Sequence, residues 1–312
     1  MTSNGRIVVA IPCYNEQATI SKVVSDFKRE LPQAEIVVLD NRSTDRSSEL
    51  ARKAGAKVLY VSRQGKGAVA RYIFREIDAD IYVMVDGDDT YPAEFVHELI
   101  KPVKDGIADM VVGDRLSGGG YSNENKRRFH SFGNALVSFL VNHCFNSNIN
   151  DIMTGYRAFS NRFSKVVPIL SDGFEVETEI TIRCLDRKLS IVELPVEYRD
   201  RPEGSVSKLR TFYDGFKVLK MIFIILKDYR PMLFFGSLSL ATLVAGLICG
   251  IPVITEFFEK RYITHVPLAI LATGLVLVSA SFFSCAFILD TMISHENQRN
   301  EENIVRIRKT GD

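Results

Sequence analysis

Tyr82–Pro92 reads YVMVDGDDTYP, and the switch within it from apolar to acidic decides the fold class. Tyr82, Val83, Met84 and Val85 form a short apolar run rich in aromatic and β-branched side chains. Such a run suits a strand covered on both faces of a sheet. It stops in three carboxylates, Asp86, Asp88 and Asp89. If the strand is parallel, its carboxyl end lies at the rim where open α/β sheets bind their ligands. Carboxylates gathered there repel one another unless a cation neutralises them, and hard oxygen donors suit Mg²⁺ or Mn²⁺ shared with substrate phosphates. A solvated acidic turn accounts for the same letters, so the surrounding sequence has to choose.

Upstream, strand-like and helix-like segments alternate. Arg6–Ile11, Glu35–Asp40, Lys57–Val61, Asp80–Asp86 and Asp109–Gly113 read as strands. Ala18–Arg29, Thr44–Ala54, Gly67–Glu76 and Phe95–Val103 read as helices. This alternation predicts a mostly parallel, Rossmann-like α/β sheet. Ser117–Asn125 reads as a loop. In GFEVETEI, Glu175, Glu177 and Glu179 share a face if the segment is a strand and spread if it is a helix.

Composition changes near residue 231. Residues 232–255 and 266–289 carry no charged side chain. As helices, each is long enough for a hydrocarbon core about 30 Å thick. With a connection over Glu256–His265 they predict a transmembrane hairpin, and Gly246 and Gly250 form a GxxxG in its first span. Lys220, Lys227 and Arg230 precede the spans, and Arg299, Arg306, Arg308 and Lys309 follow them. This bias predicts both ends in the cytosol. Lys208–Arg230 spaces Leu209, Phe212, Phe216, Leu219, Phe223 and Leu226 as one face of an amphipathic helix suited to a membrane surface. The expected organisation is a cytosolic catalytic domain over 1–207, a juxtamembrane helix over 208–230, a hairpin over 231–290 and a loosely ordered tail over 291–312.

The net charge of +1 offers no field for nucleic acid. The five cysteines are scattered without a CxxC pair, which fits a reducing compartment. The N-terminus lacks a signal pattern. No GxGxxG follows the first strand, and Gly65-Lys66-Gly67 lacks the spacing of a phosphate loop. Carboxylates with a metal and no glycine phosphate loop point to a nucleotide-sugar site. Asp40, at a strand end, suits a base or ribose, whereas Asp45 suits the first turn of the next helix.

Taken together, IPCYNE, VVLDNRSTD, VMVDGDDTYP, VGDRL, DIMTGYRAFS and EGSVSKL resemble the family 2 glycosyltransferases of the GT-A fold. The motif order and C-terminal hairpin are similar to those of polyprenyl-phosphate glycosyltransferases, such as dolichyl-phosphate mannose synthases and undecaprenyl-phosphate glucosyltransferases. The resemblance implies that Pro12, Tyr14, Glu16 and Asp40 hold the nucleoside. It places Asp86 by the ribose or metal and Asp88 as the main ligand of Mg²⁺ or Mn²⁺, with Asp89 at a variable position. It sets Arg115 at the diphosphate or sugar and Asp151 at the reaction centre. Arg199 or Arg201, with Ser205, Ser207 and Lys208, would form a loop over phosphates, Arg201 and Lys208 serving catalysis. Arg127 and Arg128 are further candidates for an acceptor phosphate.

The implied reaction is inverting transfer of one sugar from UDP-glucose, UDP-N-acetylglucosamine or GDP-mannose to undecaprenyl or dolichyl phosphate, by a multi-pass membrane protein able to assemble as a tetramer. A phosphate monoester has a second pKa of about 6, so this acceptor needs little deprotonation. Transfer to a lipid hydroxyl would need a true general base, and a non-catalytic scaffold would need none of these groups. A processive synthase is disfavoured, because the chain has no Trp for a QxxRW element.

Overall fold

The computed structural model describes residues 5–117, 128–173, 175–199, 220 and 223–310, and all that follows concerns those residues. The chain divides into two compact units, Met1–Val218 and Leu219–Asp312.

In the first unit the alternation read from the sequence becomes β1 (Ile7–Cys13), α1 (Ile20–Glu30), β2 (Glu35–Asp40), α2 (Ser47–Lys53), β3 (Lys57–Tyr60), α3 (Lys66–Glu76), β4 (Ile81–Met84), α4 (Val96–Lys104) and β5 (Met110–Asp114). Then come α5 (Arg128–Phe145), β6 (Arg157–Ser160), α6 (Asn161–Val166), α7 (Val176–Asp186) and β7 (Ile191–Pro195). The strands form one seven-stranded sheet in the order β3-β2-β1-β4-β6-β5-β7. All neighbours are parallel except β6, which runs against β4 and β5.

β1 shows how the two-residue period builds the core. Ile7, Val9 and Ile11 face one apolar layer with Val24 and Phe27 of α1 and Leu99 of α4. Val8 and Ala10 face the other, with Val69 and Ile73 of α3 and Ile180 of α7. Full burial of side chains of this size contributes about 1.5–3 kcal/mol each, so both layers are needed to hold a sheet covered on two faces.

Register sets the rim. Cys13 pairs with Asp40 and Asp40 with Tyr60, so β1, β2 and β3 end level. Met84 pairs with Ala10, which puts Asp86 just beyond the end of β4. Because β6 is antiparallel, its start lies where its neighbours finish: Arg157 pairs with both Met84 and Val112. The segment 151–156 therefore arrives at the same rim. Asp114 pairs with Pro195, bringing the ends of β5 and β7 there too.

The second unit holds α8 (Pro231–Lys260) and α9 (Val266–Thr310), preceded by helical residues 220 and 223–229. Both long helices are apolar and long enough to cross a membrane. Only 17 % of the most apolar stretch of α8 and 11 % of that of α9 is buried, so their apolar surfaces face outward. They form an antiparallel pair: Ser239 Oγ donates to Ser279 O at 2.9 Å, and Ser279 Oγ donates to Ser239 O at 2.8 Å. Gly246 lies against Ala272, Leu275 and Val276, so the GxxxG faces the partner helix.

Two expectations change here. The first half of the expected connection is helical, and α8 ends in a left-handed Arg261 with φ 61°. The expected loose tail is helical to Thr310. Its helix-forming residues contain no Gly or Pro between Gly274 and Gly311, and Glu302 precedes Arg306 by one turn.

Candidate active site

The rim over β1, β2 and β3 is joined by short polar side chains that imitate backbone. Asn15 adopts a left-handed φ of 55°, and its Oδ1 accepts the Thr44 N–H at 2.8 Å. The Asn15 N–H donates to Ser43 Oγ and the Glu16 N–H to Ser47 Oγ. Asp40 is buried, with Oδ1 accepting from the Ser43 N–H at 3.0 Å. Asn41, also buried, donates to Val61 O and Arg63 O, and its Oδ1 accepts from the Gly65 N–H. Pro12 and Asp40, at the ends of β1 and β2, and Tyr14 and Glu16, in the loop after β1, thus share one fixed frame. Asp45 accepts from the Ser47 N–H and hydroxyl where α2 begins, the structural place its sequence position suggests.

The loop after β4 is held from α1. Thr19 Oγ1 donates to Gly87 O at 2.7 Å, fixing the residue between the two aspartates. Asp88 is buried and accepts from Thr90 Oγ1 at 2.7 Å. Asp89 takes a left-handed φ of 60° and pairs with Lys22 at 2.6 Å. Asp86 pairs with Lys66, whose ammonium also meets Glu177. A methyl group on Gly155 would overlap the Asp86 carboxylate, so glycine lets segment 151–156 close on the loop.

That segment is anchored from beneath by Arg157, a buried guanidinium in β6 that donates to Ile152 O, Thr154 O and Thr181 Oγ1. Burial lowers its pKa from the ordinary arginine value. Asp151 is fully buried and gripped by Arg115: Nε to Oδ2 at 2.6 Å, Nη2 to Oδ1 at 2.8 Å and the backbone N–H to Oδ2 at 3.2 Å. The Arg115 guanidinium also lies over the Tyr198 ring, 5.5 Å from its centroid. Glu193 accepts from the Asn150 and Asp151 N–H groups, and burial raises its carboxyl pKa. The Arg199 N–H donates to Thr90 O at 2.9 Å, tying the chain after β7 to the aspartate loop.

Residues 8–167 match glycosyl transferase family 2. The glycosyltransferase AglJ of Haloferax volcanii is 31 % identical over 300 residues, spanning 96 % of this chain and 97 % of AglJ. The chain belongs to glycosyl transferase family 2. A dolichyl-phosphate hexose transferase of the same organism is 31 % identical over 217 residues, 69 % of this chain and 92 % of that protein. Among solved structures, glucosyl-3-phosphoglycerate synthase of Mycobacterium tuberculosis, crystallised with Mn²⁺, uridine-diphosphate-glucose and phosphoglyceric acid, superposes with a TM-score of 0.55. It is 25 % identical, and the match covers 72 % of this chain and 79 % of that one. The sheet is the GT-A type expected from the sequence.

A family 2 glycosyltransferase that uses a divalent cation needs oxygen donors at this rim. Among the described residues, no three His, Cys, Asp or Glu side chains form a group able to hold a metal unaided. Asp86 and Asp88, flanking one glycine, are a donor set that fits Mg²⁺ or Mn²⁺ when a diphosphate completes the shell. They do not fit a permanent protein cage.

Of the residues expected at the site, Pro12, Tyr14, Glu16, Asp40, Asp86, Asp88, Arg115, Asp151 and Arg199 all lie in segments that reach the same rim. Arg127, Arg201, Ser205, Ser207 and Lys208 lie outside the described residues, and Arg128 opens α5. Within GFEVETEI the helical alternative holds from Val176: Glu177 is buried, while Glu179 accepts from the Leu170 and Ser171 N–H groups. The sequence reading missed Asn15, Asn41, Thr19 and Lys66. An Asn within two residues of a strand end was the available signal for the first two, since its side chain mimics a backbone turn.

Proposed function

We propose that this family 2 glycosyltransferase transfers a single sugar, with inversion, from a nucleotide sugar to a polyprenyl phosphate at a membrane. The observation that carries this is the pairing of the rim carboxylates: Asp151 with Arg115, and Asp86 with Lys66. A carboxylate gripped by a cation is a poor general base. A hydroxyl acceptor requires such a base, whereas an ionised phosphate does not. Arg115 supplies positive charge for the leaving diphosphate. Asp86 and Asp88 would hold Mg²⁺ or Mn²⁺, which when bound neutralises charge on the same diphosphate. Pro12, Tyr14, Glu16 and Asp40 would hold the nucleoside. The relative named as a dolichyl-phosphate hexose transferase supports the acceptor class, and the likeness to a synthase crystallised with Mn²⁺ and a nucleotide sugar supports the donor class. The two apolar helices would anchor residues 1–207 to the bilayer as a hairpin, with the catalytic unit and both ends on the cytosolic face.

The test uses the full chain in lipid nanodiscs with undecaprenyl or dolichyl phosphate, Mg²⁺ or Mn²⁺, and labelled UDP-glucose, UDP-N-acetylglucosamine or GDP-mannose. The expected outcome is an organic-extractable, mild-acid-labile product from one donor, lowered about 10²–10³-fold by Asp88→Asn, the scale of losing a charge-stabilising group. Absence of product across these donors and both phosphates, or product only with lipid alcohols, overturns the reading.

A further inference from the structure

Lys66 touches Asp86, the carboxylate assigned to the metal. Its ammonium lies 2.5 Å from Asp86 Oδ1 and 2.6 Å from Glu177 Oε1. The Lys66 side chain is 10 % exposed and that of Glu177 6 %, while that of Asp86 is 28 %. The triad is therefore closed on the protein side and open only at Asp86.

The surrounding backbone confines the ammonium. The Gly67 N–H donates to Asp172 O and Gly173 O. Methyl groups on Gly65 and Gly67 would overlap the carbonyls of Asp172 and Ser171. The GKG turn is thus a notch that receives segment 171–173, which leads into α7 and delivers Glu177 to Lys66. Arg71 secures this segment through Ser171 O and the Asp172 carboxylate, and the residues before it through Ile169 O and Leu170 O. Asp86 and Glu177 flank the ammonium from two sides.

We propose that Lys66 is an internal competitor of the divalent cation for Asp86, restrained by Glu177, so that tight metal binding waits for a nucleoside diphosphate. The inference rests on the reading of Asp86 and Asp88 as metal-side carboxylates. A carboxylate already in contact with an ammonium is a weaker ligand for a second cation, because the two positive charges repel at short range. An arriving diphosphate adds oxygen donors and negative charge, which shifts the balance toward the metal. Glu177 draws the ammonium the opposite way, so its loss leaves Lys66 wholly to Asp86.

The experiment measures Mn²⁺ binding to the full-length protein by electron paramagnetic resonance of the free ion, with Mn²⁺ alone and with UDP or GDP. The wild type is expected to bind Mn²⁺ alone weakly and at least about tenfold more tightly with one of the nucleotides, the scale of a neighbouring-charge effect. Lys66→Met is expected to bind Mn²⁺ alone about tenfold more tightly than the wild type and to lose most of the nucleotide enhancement. Glu177→Gln moves the other way, binding Mn²⁺ alone more weakly. A merely structural Lys66 would weaken binding when removed, which is the opposite sign. A folded Lys66→Met protein that binds Mn²⁺ no more tightly than the wild type overturns the inference, even where wild-type transfer activity is intact. If Lys66→Met does not fold, Glu177→Gln decides, and unchanged or tighter binding there overturns it. A wild type that binds Mn²⁺ neither alone nor with UDP or GDP overturns the proposed metal-dependent function and this inference together.

Discussion

The two sides of the sheet rim are built from different chemistry. Over β3, β2 and β1, loops are joined mainly by neutral donors and acceptors: Asn15 to Thr44, Asn15 to Ser43, Asn41 to Gly65. Over β4, β6 and β5, the contacts are between full charges: Asp86 with Lys66, Lys66 with Glu177, Asp151 with Arg115. A satisfied amide network has nothing to gain by rearranging and makes a preformed frame for a neutral nucleoside. Charge pairs are strong in a low-dielectric site, yet a phosphate or cation can replace either partner. One side presents a fixed shape, and the other offers charges that exchange partners.

The largest effect expected from this contrast is at Asp151. Asp151→Ala leaves Arg115 without its carboxylate in a buried setting, and loss of one partner of such a pair costs about 3–5 kcal/mol. Denaturant unfolding of the catalytic unit within the full chain checks it. Asp151→Asn preserves the shape and keeps one of the two acceptor oxygens while removing the charge, so it reports on the charge more than Asp151→Ala does. A stable Asp151→Asn protein with near-normal turnover would remove Asp151 from any central role.

Asn41→Ala should do less to stability, about 1–3 kcal/mol, by orphaning Gly65 N–H and two carbonyls. Its kinetic mark should be a raised KM for the nucleotide sugar with kcat changed little, because the frame is distorted and the charges are not. Equal losses in KM and kcat would erase the distinction between the two sides.

The smallest effect is at Cys13, at the end of β1 beneath the nucleoside loops. Burial pushes its thiol up to about 12. The thiolate is the reactive form, so at a pH of about 8 the native thiol stays protonated and unlabelled by maleimide. Unfolding returns it toward about 8.5 and exposes it. Rapid labelling of Cys13 in the native protein, read by mass spectrometry, would show that the neutral side opens.

Much of the fold was legible from local pattern. The strand–helix alternation from Ile7 to Asp114 matches the observed elements with ends displaced by a few residues. The position of Asp86 and Asp88 at the rim was legible because the apolar run before them reads as a strand, although the letters alone also suit a solvated acidic turn. β6 was not legible as a strand: it is short, and it carries Arg157, a charged side chain that the fold buries against carbonyls. Lys66 was passed over because the GKG turn lacks phosphate-loop spacing. Its partners Asp86 and Glu177 lie far away in sequence.

The sequence by itself determined the α/β class, the family, the carboxylates at the end of β4 and the two membrane-length helices. Each of these follows from periodicity, composition or a contiguous motif, which are properties of neighbours along the chain. Only the tertiary structure decided which charges meet. The antiparallel β6 carries Asp151 to Arg115, and the notch at Gly65 and Gly67 carries Glu177 to Lys66. Ion pairing depends on distance in space and on burial, and neither is written in the spacing of the residues that form the pair.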